Sequence, residues 1–131
     1  MTVKLRVLIV DDSSFSRSVL SNLIRAGVGD SCEISEAANG SEALEKVKGA
    51  PVPFDLVTLD LQMPGQDGLT IAGALREQGC PSKLVLITAN VQANVRARAE
   101  GLALDFIPKP LNPEKVSHLL TGLASAGVGH A

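Results

Sequence analysis

The chain has 131 residues, enough for one ordinary domain with one core, and 45% of them are apolar. Charged residues make up 20% and nearly cancel to a net charge of −2; lysine and arginine are scattered from Lys4 to Lys115 without forming a block, so neither nucleic acid nor an anionic membrane surface is indicated as a partner. Two cysteines, Cys32 and Cys80, have no CxxC spacing and no histidine cluster, which excludes a disulfide framework and a zinc site.

The first apolar run, residues 5–10, is short, β-branched and nearly unbroken, the pattern of a strand buried on both faces. It stops at Asp11 and Asp12, short of the roughly 7–15 apolar residues of a secretory leader and the ~20 of a membrane span, so a cytoplasmic location is expected. Asp11-Asp12-Ser13-Ser14 is a loop with capping side chains. Phe15, Val19, Leu20, Leu23 and Ile24 then recur at helical spacing as the inner stripe of a helix that Gly27 and Gly29 end. Residues 33–37 form a weaker second strand. Asn39-Gly40-Ser41 turns into a helix carrying Ala43, Leu44 and Val47, which Pro51 and Pro53 break.

Residues 54–59 read as the third strand, followed by the dense loop signal Met63-Pro64-Gly65-Gln66-Asp67-Gly68. A helix with Leu69, Ala72 and Leu75 inward leads to a fourth strand at 83–87. Asn90 is expected to cap a helix running to about Gly101. A fifth strand covers 104–107. Asn112-Pro113 is an N-cap followed by proline at the first helical position, and Val116, Leu119, Leu120 and Leu123 stripe the last helix. Residues 1–126 thus make one domain, and 127–131 a frayed tail or the start of a linker. Five successive βα units imply an α/β fold with a parallel sheet, right-handed crossovers and helices on both faces. Ligands of such sheets bind beyond the carboxyl ends of the strands.

Those ends carry the chemistry. Asp11 and Asp12 follow the first strand, Asp60 the third, Thr88 the fourth and Lys109 the fifth. Three carboxylates sharing one crevice repel each other and raise one another's pKa unless a cation intervenes. Mg²⁺, which takes oxygen ligands at ~2.1 Å and keeps several waters, suits such a set. Phosphoryl transfer needs mainly positioning and neutralisation of charge on the equatorial oxygens, and a carboxylate is a competent acceptor.

With Val10-Asp11-Asp12-Ser13, the stretch from Asp60 through Met63-Pro64 to Gly68, Ile87-Thr88-Ala89 and Phe106-Ile107-Pro108-Lys109-Pro110, the chain resembles the receiver domains of two-component signalling, most of all the free-standing chemotaxis regulators of the CheY type. The resemblance runs from Val7 to about Leu123. It implies a five-stranded sheet in the order 2-1-3-4-5. It implies Asp60 as phosphoacceptor, with Mg²⁺ held by Asp11, Asp12, Asp60 and the backbone carbonyl of Gln62. Lys109 pairs with the phosphoryl group, Thr88 moves toward it, Phe106 occupies the aromatic switch position, and the Lys109–Pro110 bond is cis. Gln62 and Asn90 fall where the family tunes the lifetime of the phosphorylated state. The implied donor is a sensor histidine kinase or a histidine phosphotransfer protein. The implied output is an unnamed protein bound through the face of the fourth helix, fifth strand and fifth helix.

Other readings are weighed against this one. An aspartate-based phosphatase or phosphotransferase often has a second acid two residues after the nucleophile, where this chain has Gln62. A nucleotide or flavin binder needs a phosphate cradle after the first strand, where Asp11 and Asp12 repel bare phosphate. A receiver that no longer cycles is disfavoured by the intact Asp12, Asp60, Thr88 and Lys109. The chain is also compatible with an excised receiver of a longer regulator. The expectation is a switch, not an enzyme, beyond assisting its own phosphorylation and dephosphorylation. Asp55 is expected to be solvated or to cap at the far edge of the sheet, Asp67 to shape a turn, His118 to face solvent, and Arg96 and Arg98 to form a solvated face or part of a partner surface. For Phe106 an ordinary core role stays open beside the switch.

Overall fold

The computed structural model describes residues 4–29, 31–63 and 65–125; the tail expected at 127–131 lies outside the described residues. The elements are β1 (Leu5–Val10), α1 (Ser14–Val28), β2 (Cys32–Ala37), α2 (Gly40–Gly49), β3 (Leu56–Asp60), α3 (Gly68–Glu77), β4 (Lys83–Thr88), α4 (Ala93–Gly101), β5 (Asp105–Pro108) and α5 (Pro113–Ser125). The strands form one parallel sheet in the order β2-β1-β3-β4-β5.

Alternation along the strands divides the core into two layers. Leu8, Val10, Val57, Leu59, Leu84 and Leu86 face α2, α3 and α4, meeting Ala43, Ile71, Leu75, Val95 and Ala99. Val7, Ile9, Leu56, Val85 and Ile87 face the other way, onto Leu20 and Ile24 of α1 and Val116, Leu119 and Leu123 of α5. Because both faces are covered, the strands read as continuous apolar runs.

Helix starts follow local capping chemistry. Ser13 Oγ accepts from Ser16 N, Asn39 Oδ1 from Glu42 N, Asp67 Oδ1 from Thr70 N and Asn112 Oδ1 from Lys115 N. α4 departs from expectation. Asn90 does not cap it; its Oδ1 accepts from Gln92 N and closes a turn one step earlier, while Gln92 takes the cap position with no side-chain bond.

Two further expectations are corrected. Gly27 lies inside α1, and Gly29 alone ends it. A Cβ on Gly27 would come within 2.8 Å of Leu120 Cδ1, so the missing side chain lets α1 and α5 close up. Phe15 and Val19 are exposed, Phe15 at 77%. Both border the open cavity beside Asp11 and Asp60, and the fully buried stripe begins only at Leu20.

Asp55 stands at the amino edge as expected. Its Oδ2 accepts from Arg6 N and its N–H donates to Arg6 O, tying β3 to β1 before the ladder begins.

Candidate functional site

Strand register assembles the site. Val10 pairs with Leu59, Asp60 with Ile87 and Thr88 with Pro108, so Asp11, Asp60, Thr88 and Lys109 fall within one residue of each other at the carboxyl edge. The order 2-1-3 reverses direction between β1 and β3, which opens the crevice where Asp11 and Asp60 lie.

Asp11, Asp12 and Asp60 each bring a carboxylate oxygen to within 4.8 Å of the other two. They differ in exposure: Asp11 is buried, Asp60 intermediate and Asp12 exposed. Burial raises the Asp11 pKa above its ordinary value. The charges of Asp60 and Asp12 push the same way, while the Ser13 N–H, 2.9 Å from Asp11 Oδ1, and the Lys109 ammonium oppose them. Lys109 Nζ lies 3.1 Å from Asp60 Oδ1. Three carboxylates therefore face one ammonium, and oxygen donors of this number and charge fit a hard divalent cation.

Thr88 is 3% exposed, and its Oγ1 accepts from Asn90 N at 3.0 Å. Among the described residues its hydroxyl donates to no acceptor. The Thr88 carbonyl accepts from Lys109 N at 2.9 Å, and the Lys109–Pro110 bond is cis, as expected. Gln62 is exposed just past the acceptor strand. It lines one cleft together with Asn90, Asp67 and Arg98, so the two amides face the same opening. On the other side Asp11, Asp60 and Lys109 border a cavity of ≈ 350 Å³ walled by Phe15, Val19, Pro110 and Leu111.

Phe106 is half-buried, neither a full core residue nor free. The guanidinium of Arg96 stacks 4.5 Å from its ring centroid, so Arg96 is not merely solvated. Arg98 approaches Asp67 at 4.0 Å, and His118 is exposed as expected.

Two residues of this region escaped the sequence reading. Arg17 donates to the main-chain carbonyl of Asp11, and Lys115 donates to the carbonyls on either side of Lys109. Their signal is faint: both are cations within a turn or two of a motif, in helices whose clear pattern is apolar spacing.

A family model described as the response regulator receiver domain matches residues 7–121. The chain belongs to the response regulator receiver family. This receiver is 35% identical over 117 residues to the two-component response regulator ORR41 of Oryza sativa subsp. japonica, covering 88% of this chain and 91% of that protein. It is 41% identical over 113 residues to a protein-glutamate methylesterase/protein-glutamine glutaminase of Moorella thermoacetica, covering 84% of this chain and 26% of that protein. The receiver thus spans about a quarter of that longer relative.

Among solved structures it is similar to CheY of Borrelia burgdorferi in a complex with CheX, BeF3 and Mg²⁺. The TM-score is 0.84 with 30% identity, covering 93% of this chain and 90% of that one. It is also similar to Vibrio cholerae CheY4, with a TM-score of 0.81 and 28% identity, covering 92% and 98%. The receiver is accordingly a signalling-switch module of two-component systems with the CheY-like fold. Among the described residues no helix is long and apolar enough to cross a membrane.

Proposed function

We propose that this receiver takes a phosphoryl group on Asp60 and, once modified, controls a partner protein through the α4-β5-α5 face. The observation that carries the reading is the Lys109 ammonium 3.1 Å from Asp60 Oδ1, beside three carboxylates within 4.8 Å of one another. Asp11, Asp12, Asp60 and the main-chain carbonyl of Gln62 would hold Mg²⁺, which when bound neutralises charge on the phosphoryl oxygens.

The donor is a phosphohistidine on a sensor histidine kinase or a phosphotransfer protein. An Asp60 carboxylate oxygen attacks phosphorus, the P–N bond breaks, its electron pair returns to the imidazole nitrogen, and an acyl phosphate forms. Lys109 exchanges its contact with the free carboxylate for one with a phosphoryl oxygen. Thr88 has a hydroxyl proton to donate to another. Drawing Thr88 toward the phosphoryl group loosens its bond to Asn90 N and opens room beside β4 for Phe106. Hydrolysis reverses the state: water attacks phosphorus, phosphate leaves and the carboxylate is restored.

Residues 1–126 form the receiver unit in this reading, and the protein acts in the cytoplasm. It assists its own phosphorylation and dephosphorylation and turns over no other substrate. That a similar receiver, the Borrelia CheY, binds another protein in the presence of BeF3 and Mg²⁺ supports protein contact by this one.

The test is incubation with Mg²⁺ and acetyl phosphate followed by intact mass. An adduct of ~80 Da that needs Mg²⁺ and is absent from Asp60→Asn is expected, the mass being that of one phosphoryl group. An adduct that survives in Asp60→Asn moves the acceptor elsewhere and refutes the assignment.

A further inference from the structure

Lys109 is flanked by Pro108 and Pro110, neither of which has an N–H with which to bond the surrounding backbone. Their carbonyls are held instead by a side chain. The Lys115 ammonium, in the first turn of α5, donates to Pro108 O at 2.8 Å and to Pro110 O at 2.8 Å. Its own helix start is pinned by the bond from Lys115 N to Asn112 Oδ1. Among the described residues no carboxylate lies within ion-pair distance of this ammonium. Among the described residues, the partners of this half-buried cation are the two carbonyls. With the bond from Lys109 N to Thr88 O, the backbone is fixed before, at and after Lys109.

Lys115 also lines the groove between β5 and α5, together with Phe106, Pro108 and His118. One side chain therefore touches both the output face and the loop that carries the phosphoryl-pairing cation.

We propose that Lys115 is a positioning residue that holds Lys109 in register with the phosphoryl group by clamping the carbonyls of Pro108 and Pro110. The inference rests on the reading of Lys109 as the phosphoryl partner. A preorganised cation meets developing charge without spending free energy on ordering itself. Removing the clamp frees the loop and withdraws that advantage, while the carboxylates that bind metal keep their places.

The test separates these effects by calorimetric titration of the full chain, first with Mg²⁺ and then with beryllofluoride, a phosphoryl mimic. Lys115→Met and Lys115→Gln are compared with wild type, so that one variant remains should the other fail to fold. In both, Mg²⁺ affinity is expected to stay near wild type and beryllofluoride affinity to fall about tenfold, the scale of a lost charge-assisted hydrogen bond. Lys115→Arg, which keeps donors for both carbonyls, should retain most of the affinity. In a Lys109→Met background, Lys115→Met should cost nothing further, because the two act as one unit.

Unchanged beryllofluoride binding in Lys115→Met overturns the inference. So does an equal loss in the Lys109→Met background, or a parallel loss of Mg²⁺ binding. Failure of the wild type itself to bind beryllofluoride with Mg²⁺ refutes the proposed function instead, and the inference falls with it.

Discussion

The guanidinium of Arg17 donates to the main-chain carbonyl of Asp11 at 2.6 Å while its Nε holds Glu36 of β2 at 2.7 Å. The loop that presents Asp11 and Asp12 is thereby tied to α1 and to the sheet edge. Groups that orient ligands from one bond away matter nearly as much as the ligands do. Arg17→Ala is expected to weaken Mg²⁺ binding by about tenfold with the fold intact, the lower end of such effects. Calorimetric titration reads this directly, and is well suited to a chain without tryptophan or tyrosine. An unchanged affinity would count against the tie.

Asp11 gives the metal-free protein a specific pH dependence. Burial raises its folded-state pKa above 3.8, so the folded chain binds this proton more tightly than the unfolded chain. The Asp11 contribution to stability therefore falls as pH rises from the ordinary carboxylate range through the raised folded value, and the full penalty is present above it. Asp11→Asn, in chelator at neutral pH, should melt a few degrees above wild type, with the gap closing toward pH 4. Saturating Mg²⁺ should reverse the order, since only the intact ligand set gains by mass action. Thermal melts at several pH values, with and without metal, check both halves.

Gln62 and Asn90 line the same cleft, two residues past Asp60 and Thr88. Trimming either to alanine widens that cleft. Decay of the acyl phosphate, followed as loss of the mass adduct, is expected to speed up several-fold in each variant. Rates equal to wild type in both would remove these amides from any role in lifetime.

Gly68, the first residue of α3, abuts the peptide of Asp60. A Cβ there would lie 2.3 Å from the Asp60 carbonyl oxygen and 3.2 Å from Leu86 Cδ1. Backbone cannot yield as a flexible side chain can, so Gly68→Ala should destabilise by about 1–3 kcal/mol, the usual cost of overpacking. Urea unfolding measures this, and the Asp60 adduct should form more slowly in the same variant because the acceptor is displaced. A neutral substitution would show that α3 can move away from β3.

Much of the fold was legible because its rules are local. Both-face burial marks β1, β3 and β4, and Asn39 and Asn112 mark helix starts that the structure reproduces, whereas Asp67, expected only to shape a turn, also caps α3. The acidic cluster and Lys109 followed from their places at the carboxyl ends of successive parallel strands. What escaped depends on where an element sits relative to the sheet. Periodicity placed Phe15 and Val19 on the inner stripe of α1, but periodicity cannot tell that at these positions the helix borders an open cavity. Asn90 has the right side chain for a cap, yet the chain makes one more turn first. Arg17 and Lys115 act on carbonyls, and a carbonyl has no letter in the sequence.

α4 carries one more consequence. Only Val95 and Ala99 are buried, its cap position lacks a side-chain bond, and the other seven of its nine residues face solvent. Burial of those two side chains is worth about 3 kcal/mol, below the ~5.5 kcal/mol that carries a two-state switch from 1:99 to 99:1. A helix held this lightly constrains its own surface very little. Apart from Arg96, which stacks on Phe106, its outer residues can change at little cost to folding, so partner choice can diverge among descendants of this chain while the acidic pocket at the carboxyl ends of β1 and β3 stays as it is.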